Sequence, residues 1–359
     1  MTAARAHIAA MAAYQLADLT PPEGRKLISL CQNESLRPPS PLALEAAAEA
    51  MAASMLYPDP DWMALREAIG ELHHLPPDRI LCGNGSLELI GALARAYAGP
   101  DRAVLAPVHA YPFFRTAAQL AEARFDTAAE QDLTVDVSNL LASVRPDTGI
   151  VFVANPGNPT GTRIARSELN RLRNGLRDDI LLVIDEAYGE FDDLPGETSF
   201  DLLTAGNTVV LRTFSKAYGM AGFRVGWGLF PQSASAEIRK VLNPNNISLV
   251  AQAAAAAAIR DQDYMKETCR LVEKIRTQAT RDLRGAGFRV PDSFTNFVLI
   301  DLENETRARQ ADQALRRQGI FLRGQAGAGL PHMLRMTIGP EADVGVSVSE
   351  LIKWKGEQR

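Results

Sequence analysis

The chain has little of what staples or metallates a protein. Its three cysteines, Cys31, Cys82 and Cys269, are far apart and form no Cys-x-x-Cys pair. An odd, scattered set argues against a disulfide framework and a structural zinc site, and fits a reducing compartment. The five histidines offer no His-Glu-x-x-His or similar spacing, so no metal is expected. Uninterrupted apolar stretches fall well short of a membrane span. Met1 to Ala13 is Ala-rich but lacks the continuous apolar core of a signal peptide. An excess of one charge is also missing. The 38 basic and 43 acidic side chains are mixed along the chain, with a net charge of −5 and no basic stripe or tail to suit nucleic acid. These absences leave a soluble, cytoplasmic, metal-free protein as the expectation.

What is present is ordinary for a globular chain: 46% apolar and 23% charged residues over 359 positions, enough for two domains. Residues 14 to 40 are turn-rich, with Pro21-Pro22-Glu23-Gly24 and Pro38-Pro39, and read as an arm lying over something else. Pro41 to Ser54 reads as a helix with proline in its first turn. Asp61 is expected to cap an amphipathic helix carrying Trp62, Leu65, Ile69 and Leu72. His73 and His74 at its C-terminal end read as surface residues favoured by the helix dipole.

From Ile80 onward, strands and helices alternate. Strands are expected at Ile80 to Cys82, Ala103 to Ala106, Ile150 to Ala154, Ile180 to Ile184, Thr208 to Leu211 and Val225 to Leu229. Their apolar runs do not alternate, which suits a mostly parallel sheet sandwiched by helices. Beyond Asn243-Pro244-Asn245-Asn246 the rhythm changes. A long helical region from Ser248 to about Gly285 is followed by strand-like Asn296 to Asp301 and a helix near Thr306 to Gln318. Ile320 to Arg323, Leu334 to Ile338 and a final helix from about Glu341 complete the chain. The expected fold class is α/β, with residues 1–50 as an arm and helix joining the small domain. Residues 51–245 would form a large domain and residues 246–359 a smaller α+β domain.

Each polar motif follows directly after a strand. Gly83-Asn84-Gly85-Ser86 comes first, then Asn155 to Gly161, then Asp185-Glu186-Ala187-Tyr188, then Thr213, Ser215 and Lys216 with Arg224 beyond. Ligands bind at the carboxyl ends of such strands, so the motifs converge on one site. Taken alone, each has a plain structural reading: Lys216 as a solvated strand-end lysine, Asp185 as a cap, Asn158 as a turn residue, Tyr111 and Tyr188 as packing. Together they match what a phosphorylated Schiff-base cofactor requires. Lys216 offers the amine and Asp185 a carboxylate for a ring nitrogen. Asn158 and Tyr188 can reach a ring oxygen, and Tyr111 can stack on the ring face. Gly85, Ser86 and Leu87 at a helix start, with Ser215 and Arg224, can seat a dianion.

The ordered set resembles the fold-type I pyridoxal-phosphate enzymes of the class I/II aminotransferase family, most of all its histidinol-phosphate aminotransferase branch. The matching stretches are Tyr57-Pro58-Asp59, Gly83 to Ser86, Asn158-Pro159-Thr160-Gly161, Asp185 to Tyr188, Arg212 to Lys216, Gly222-Phe223-Arg224 and Leu334-Arg335, spanning nearly the whole chain. The resemblance implies a pyridoxal 5'-phosphate cofactor with Lys216 as its imine-forming base. It implies Thr213, Ser215, Arg224, Gly85 and Ser86 around the phosphate, and Tyr57 reaching the phosphate of a neighbouring subunit in a homodimer. It implies ping-pong amino transfer between an amino donor, histidinol phosphate or a related amino acid, and a 2-oxo acid such as 2-oxoglutarate. Asn33, Arg323 and Arg335 would contact substrate, with Arg335 clamping a carboxylate. The chain departs from the family in its arm, Asn33-Glu34-Ser35-Leu36-Arg37-Pro38, and at Leu87, where an Asp is usual. An arm aromatic near Pro21 is missing, though Tyr14 lies upstream. Decarboxylation of a phospho-amino acid, broad aromatic transamination and a non-catalytic cofactor-sensing module remain alternatives. A nicotinamide dehydrogenase is a weaker one, because the third fingerprint glycine is missing.

Overall fold

A computed structural model describes residues 2–13, 19–192 and 199–358. Twelve strands are present among them. They are β1 (Ile28–Ser29), β2 (Ile80–Gly83), β3 (Ala103–Pro107), β4 (Phe125–Ala128), β5 (Thr148–Ala154) and β6 (Leu181–Asp185). The remainder are β7 (Thr208–Thr213), β8 (Gly226–Leu229), β9 (Phe297–Asp301), β10 (Ile320–Phe321), β11 (Arg323–Gln325) and β12 (Leu330–Thr337).

The apolar runs build a seven-stranded sheet in the order β2-β8-β7-β6-β5-β3-β4. Strand β8 runs antiparallel to both of its neighbours, and every other pair is parallel. Strands β6 and β7 are buried along their whole length, as strands covered on both faces must be. Register decides what shares an edge. Ala154 pairs with Asp185, and Asp185 with Leu211, so β5, β6 and β7 release their following loops side by side. At the other side, β8 passes under the start of the helix Ser86–Tyr97. A Cβ on Gly226 would sit 2.1 Å from the Ser86 backbone nitrogen, so only glycine allows that approach.

Two smaller sheets lie beside the large one. β11, β12 and β9 form an antiparallel sheet, and β1 pairs with β10 in parallel. The turn-rich arm is therefore pinned by backbone bonds. Leu30 donates to the Phe321 carbonyl, and Thr337 donates to the Leu30 carbonyl, each at 2.9 Å. Those bonds draw residues 30 to 34 alongside β12.

Several local expectations change. The helical region from Ser248 breaks into Leu249–Ala258 and Gln262–Gly285, because the Asp261 side chain accepts from the Tyr264 N–H and caps a new helix. Ile320 to Arg323 splits between two sheets, β10 serving the arm and β11 pairing with β12. The Trp62 helix is capped not by Asp61 but by Asp59, whose carboxylate accepts from the N–H groups of Asp61 and Met63. The Asp61 carboxylate instead faces Arg66 and Arg239. His73 is not a surface residue. Its ring packs 5.3 Å from Phe200 and 5.4 Å from Trp227, and burial, aided by the Arg212 charge, lowers its pKa to about 4, so it is neutral. Strand β4 and the helices Val137–Ala142 and Gln232–Val241 carry too short or too polar a pattern to have been anticipated.

Beneath the sheet edge lies a buried ionic group. Arg212 donates to Glu186 at 2.7 and 2.9 Å and to Glu190 at 3.2 Å, and all three side chains are almost entirely buried. Burial pulls the arginine pKa down, but the two carboxylates outweigh it and hold the charge in place. Removing one member of such a group strands the others unpaired. Arg212→Met is expected to lower the unfolding free energy by about 3–5 kcal/mol, measured by urea titration at pH 7. A loss well under 1 kcal/mol would show that the two carboxylates relax into water.

Candidate active site

Lys216 follows the end of β7 and turns its amine under the arm. Nζ donates to the Asn33 carbonyl at 2.9 Å and to that of Gln32 at 3.4 Å. The residue is half-buried. Loss of hydration lowers its pKa most, followed by the Arg335 charge. Glu34 works against them, and the result is about 7. An amine near neutrality can hold or release a proton at working pH. Asp185, the last residue of β6, is shifted the opposite way. Burial raises its pKa to about 7, against the Ala187 N–H that donates to Oδ1 at 3.1 Å. A carboxyl with this surrounding is ready to face a cation.

Around this pair the arm, β6 and β12 meet. The buried Asn33 side chain donates from Nδ2 to the Tyr188 hydroxyl at 2.8 Å, while its backbone N–H donates to Thr337 Oγ1 at 2.9 Å. Tyr188 already accepts there, and burial raises its pKa, so it keeps a proton to donate elsewhere. Arg335 reaches across from β12, donating from Nη1 to Asn158 Oδ1 at 2.6 Å and from Nη2 to the Cys31 carbonyl at 3.1 Å. Its buried Nε lacks a hydrogen-bond partner among the described residues. Arg335 is thus held by neutral groups, and its Nε and remaining Nη hydrogens are left for an anion. Arg323 is its direct partner across the β11–β12 ladder, which puts both guanidiniums on one face.

At the far side, the hydroxyls of Thr213 and Ser215 lie 3.1 Å apart, and Arg224 Nη1 approaches Ser215 Oγ at 3.5 Å. Arg224 adopts a left-handed φ of +58°. Gly85, at φ +78°, leaves space for its guanidinium: a Cβ there would lie 2.4 Å from Nη2. Arg224, Ser215 and the start of the helix Ser86–Tyr97 therefore share one corner. Leu87 stands on the first turn of that helix and is 37% exposed.

The structure brings together Asn33, Asn158, Asp185, Tyr188, Lys216 and Arg335, and groups Gly85, Thr213, Ser215 and Arg224 beside them. Tyr111 is half-buried at the start of the helix Pro112–Leu120, edge-on to Phe114 at 5.7 Å. Tyr57 is 88% exposed on this chain. Tyr14 lies outside the described residues. Two residues went unforeseen. Asn296 donates to the carbonyls of Asn33 and Glu34 at 3.1 Å, and Thr337 holds Asn33. Thr337 had a readable signal, since it lies two positions after Arg335 on a strand and so on the same face. Asn296 had none.

The Asp185 shift has a stability consequence. Its folded pKa of about 7 exceeds the reference value of 3.8, so the folded protein holds a proton that the unfolded chain loses between them. That contribution is complete below pH 3.8 and is lost as pH rises to about 7. The ligand-free Asp185→Asn variant should therefore become progressively more stable than the unsubstituted protein between these limits and keep that margin above pH 7. Thermal melts from pH 4 to 8 measure it; a constant difference would contradict the shift.

Known proteins bear on this arrangement. The model of the aminotransferase class I and II family matches residues 25–351. A histidinol-phosphate aminotransferase of Paramagnetospirillum magneticum is 42% identical over 339 residues, covering 92% of both chains. One of a Jannaschia species is 40% identical over 316 residues, covering 88% of each. Among solved structures, histidinol-phosphate aminotransferase from Sinorhizobium meliloti, in complex with pyridoxal-5'-phosphate, superposes with a TM-score of 0.93. It is 28% identical and is matched over 100% of this chain and 99% of that one. A Thermus thermophilus aspartate aminotransferase double mutant shares the fold, with a TM-score of 0.87 at 18% identity. With its strand-end lysine, aspartate and arginines in the order the sequence displays, the chain belongs to the class I and II aminotransferase family.

Proposed function

We propose that the protein is a pyridoxal-phosphate-dependent aminotransferase carrying an amino group from histidinol phosphate to a 2-oxo acid such as 2-oxoglutarate. One observation carries the reading: the Lys216 amine, held under the arm, feels the charges of both Arg335 and Arg224, and each of those arginines is bonded only to neutral groups. The residues present fit the cofactor. Gly85 and Gly226 admit a guanidinium and a helix start to one corner, as a phosphate requires, and the unpartnered Arg335 Nε awaits an anion. When bound, pyridoxal phosphate supplies an aldehyde carbon that links to amines and a ring that takes up the electron pair released at a substrate Cα.

The chain's own residues do the rest. Lys216 moves the proton to and from the substrate Cα, its lowered pKa leaving the amine uncharged often enough to accept it. Asp185, nearly dry, holds a proton at the ring nitrogen. Tyr188 donates its hydroxyl to the ring oxygen alongside Asn158, while Tyr111 covers the ring face. Arg224, Thr213, Ser215 and the backbone from Gly85 through Leu87 take the phosphate. Arg335 takes a carboxylate of the 2-oxo acid in a planar fork, and Arg323 beside it takes the distal substrate anion. Asn33 steadies both Lys216 and Tyr188 from the arm.

A second copy of the chain completes the reading. Around Tyr57 the surface is apolar: Met51, Met55, Leu56 and Met63 are all more than half exposed. Such a patch suits a subunit contact, and a homodimer would let Tyr57 reach the partner's phosphate corner. No helix among the described residues is long and apolar enough to cross a membrane. The cytoplasm and a division of the chain near residue 245 complete the proposal.

Two experiments test it. Lys216→Ala should have no aminotransferase activity, and Tyr57→Ala very little; mixing the two should restore turnover, because one site of each mixed dimer keeps both residues. Substantial activity in Lys216→Ala alone, or none in the mixture, would overturn the assignment. Arg323→Gln should raise KM for histidinol phosphate by ~10- to 100-fold, the worth of a charged hydrogen bond, while sparing histidinol. Equal effects on both donors would remove the phosphate-binding role.

A further inference from the structure

The turn Gln131 to Thr134 is out of keeping with its sequence. Gln131 and Thr134 exchange both backbone hydrogen bonds at 2.9 Å, with Asp132 at φ +48° and Leu133 at φ +64° between them. Two central residues at positive φ make a turn that favours Asn-Gly. A leucine there is strained, and such strain persists only where the surroundings hold it. The surroundings are specific. Leu133 packs against a small apolar cluster of Leu299, Leu330 and Met333, separate from the main core. The Thr162 hydroxyl grips the Leu133 carbonyl from behind at 2.7 Å. A loop issuing from β4 of the large sheet thus plants one side chain on the three-stranded sheet.

A second link starts from the same loop. The Glu130 carboxylate accepts the His109 backbone N–H at 3.2 Å. The His109 ring lies with Nδ1 2.8 Å from the Ala328 carbonyl. A carbonyl only accepts, so Nδ1 carries the proton. Gly329 follows at φ +75°, and a Cβ there would be 3.6 Å from Nδ1, so the ring lies flush against the turn. Ala328 closes the short helix Ala326–Ala328 that joins β11 to β12. Leu330, against which Leu133 packs, opens β12. Both links therefore seize the tip of the hairpin that bears Arg323 and Arg335.

We propose that Leu133 and His109 are positioning residues that hold the tip of the β11–β12 hairpin and so set how far Arg323 and Arg335 reach into the site. The functional weight of this rests on the reading of those arginines as substrate anion seats. Neither residue touches a reacting atom. Lys216 is held by the carbonyls of Gln32 and Asn33, in an arm that bonds to β12 at Thr337, the end of that strand away from the hairpin tip, and it stays in place when the tip loosens. The effect falls on binding of anionic substrates and leaves the proton transfer alone.

The decisive variant is Leu133→Gly, made in the full-length holoenzyme. Glycine suits the turn better than leucine, so a loss of activity cannot be ascribed to a damaged fold. The melting temperature should stay level or rise, while KM for both substrates increases about 10- to 100-fold with kcat nearly unchanged. Backbone amide exchange should quicken in residues 323 to 335 and stay unchanged at Thr337 and in β5, β6 and β7. His109→Ala should act alike, and His109→Asn, which restores a donor near the Nδ1 position, should recover most of the affinity. Unchanged KM and unchanged hairpin exchange would overturn the proposal, as would a lowered melting temperature with exchange raised throughout. Should the unsubstituted protein transfer no amino group at all, the aminotransferase reading fails. The exchange comparison then decides the positioning role by itself.

Discussion

Loss of hydration at the carboxyl edge of the large sheet is the constraint on which the site depends. It disfavours charge on any group placed there, so it lowers the Lys216 amine and raises the Asp185 carboxyl until both stand near 7. Two groups that would be fully ionised in water thereby become able to exchange protons near neutrality. The same dryness strengthens whatever they later face, since charges interact more strongly where water is excluded. It also explains why both are held by main-chain atoms. The carbonyls of Gln32 and Asn33 orient the amine, and the Ala187 N–H orients the carboxyl, without adding a neutralising charge.

Strand alternation separates structural charge from functional charge. Asp185 and Glu186 are neighbours at the end of β6, and Arg212 and Thr213 at the end of β7, so each pair points to opposite sides of the sheet. Glu186 and Arg212 close on one another, with Glu190, and are satisfied within the protein. Asp185 and Thr213 turn into the cleft. Arg335 and Arg224 differ from Arg212 in having neutral partners, so their charge stays available for an anion. Arg212 is neutralised within the protein, and Arg335 and Arg224 are kept for binding.

The arm and the hairpin give the cleft its outer wall. A single run from Ile28 to Glu34 pairs with β10, accepts from β12 through Leu30, and presents Asn33 to Tyr188, Thr337 and Lys216. The arm meets β12 at Thr337, the end of that strand away from the hairpin tip. The links from Leu133 and His109 hold the opposite end, at Ala328 and Leu330.

The amino-acid sequence by itself determined six of the seven strands of the central sheet and the chemical character of their carboxyl edge. Fully apolar strands are recognisable from composition and length, and the polar residues that follow them stand next in the chain, so Lys216, Asp185, Asn158 and Gly85 could be read locally. Helix boundaries that depend on one side chain, such as the Asp59 cap and the Asp261 break, were blurred because several residues nearby have the same capacity. Only the tertiary structure decided which polar groups meet. The bonds Asn33–Tyr188, Arg335–Asn158 and His109–Ala328 each join distant parts of the chain. The burial of His73, the orphan Nε of Arg335 and the strained seat of Leu133 likewise exist only once the sheets have packed. Local pattern reports what a residue can do. Its partner is chosen by chain closure, which no local pattern encodes.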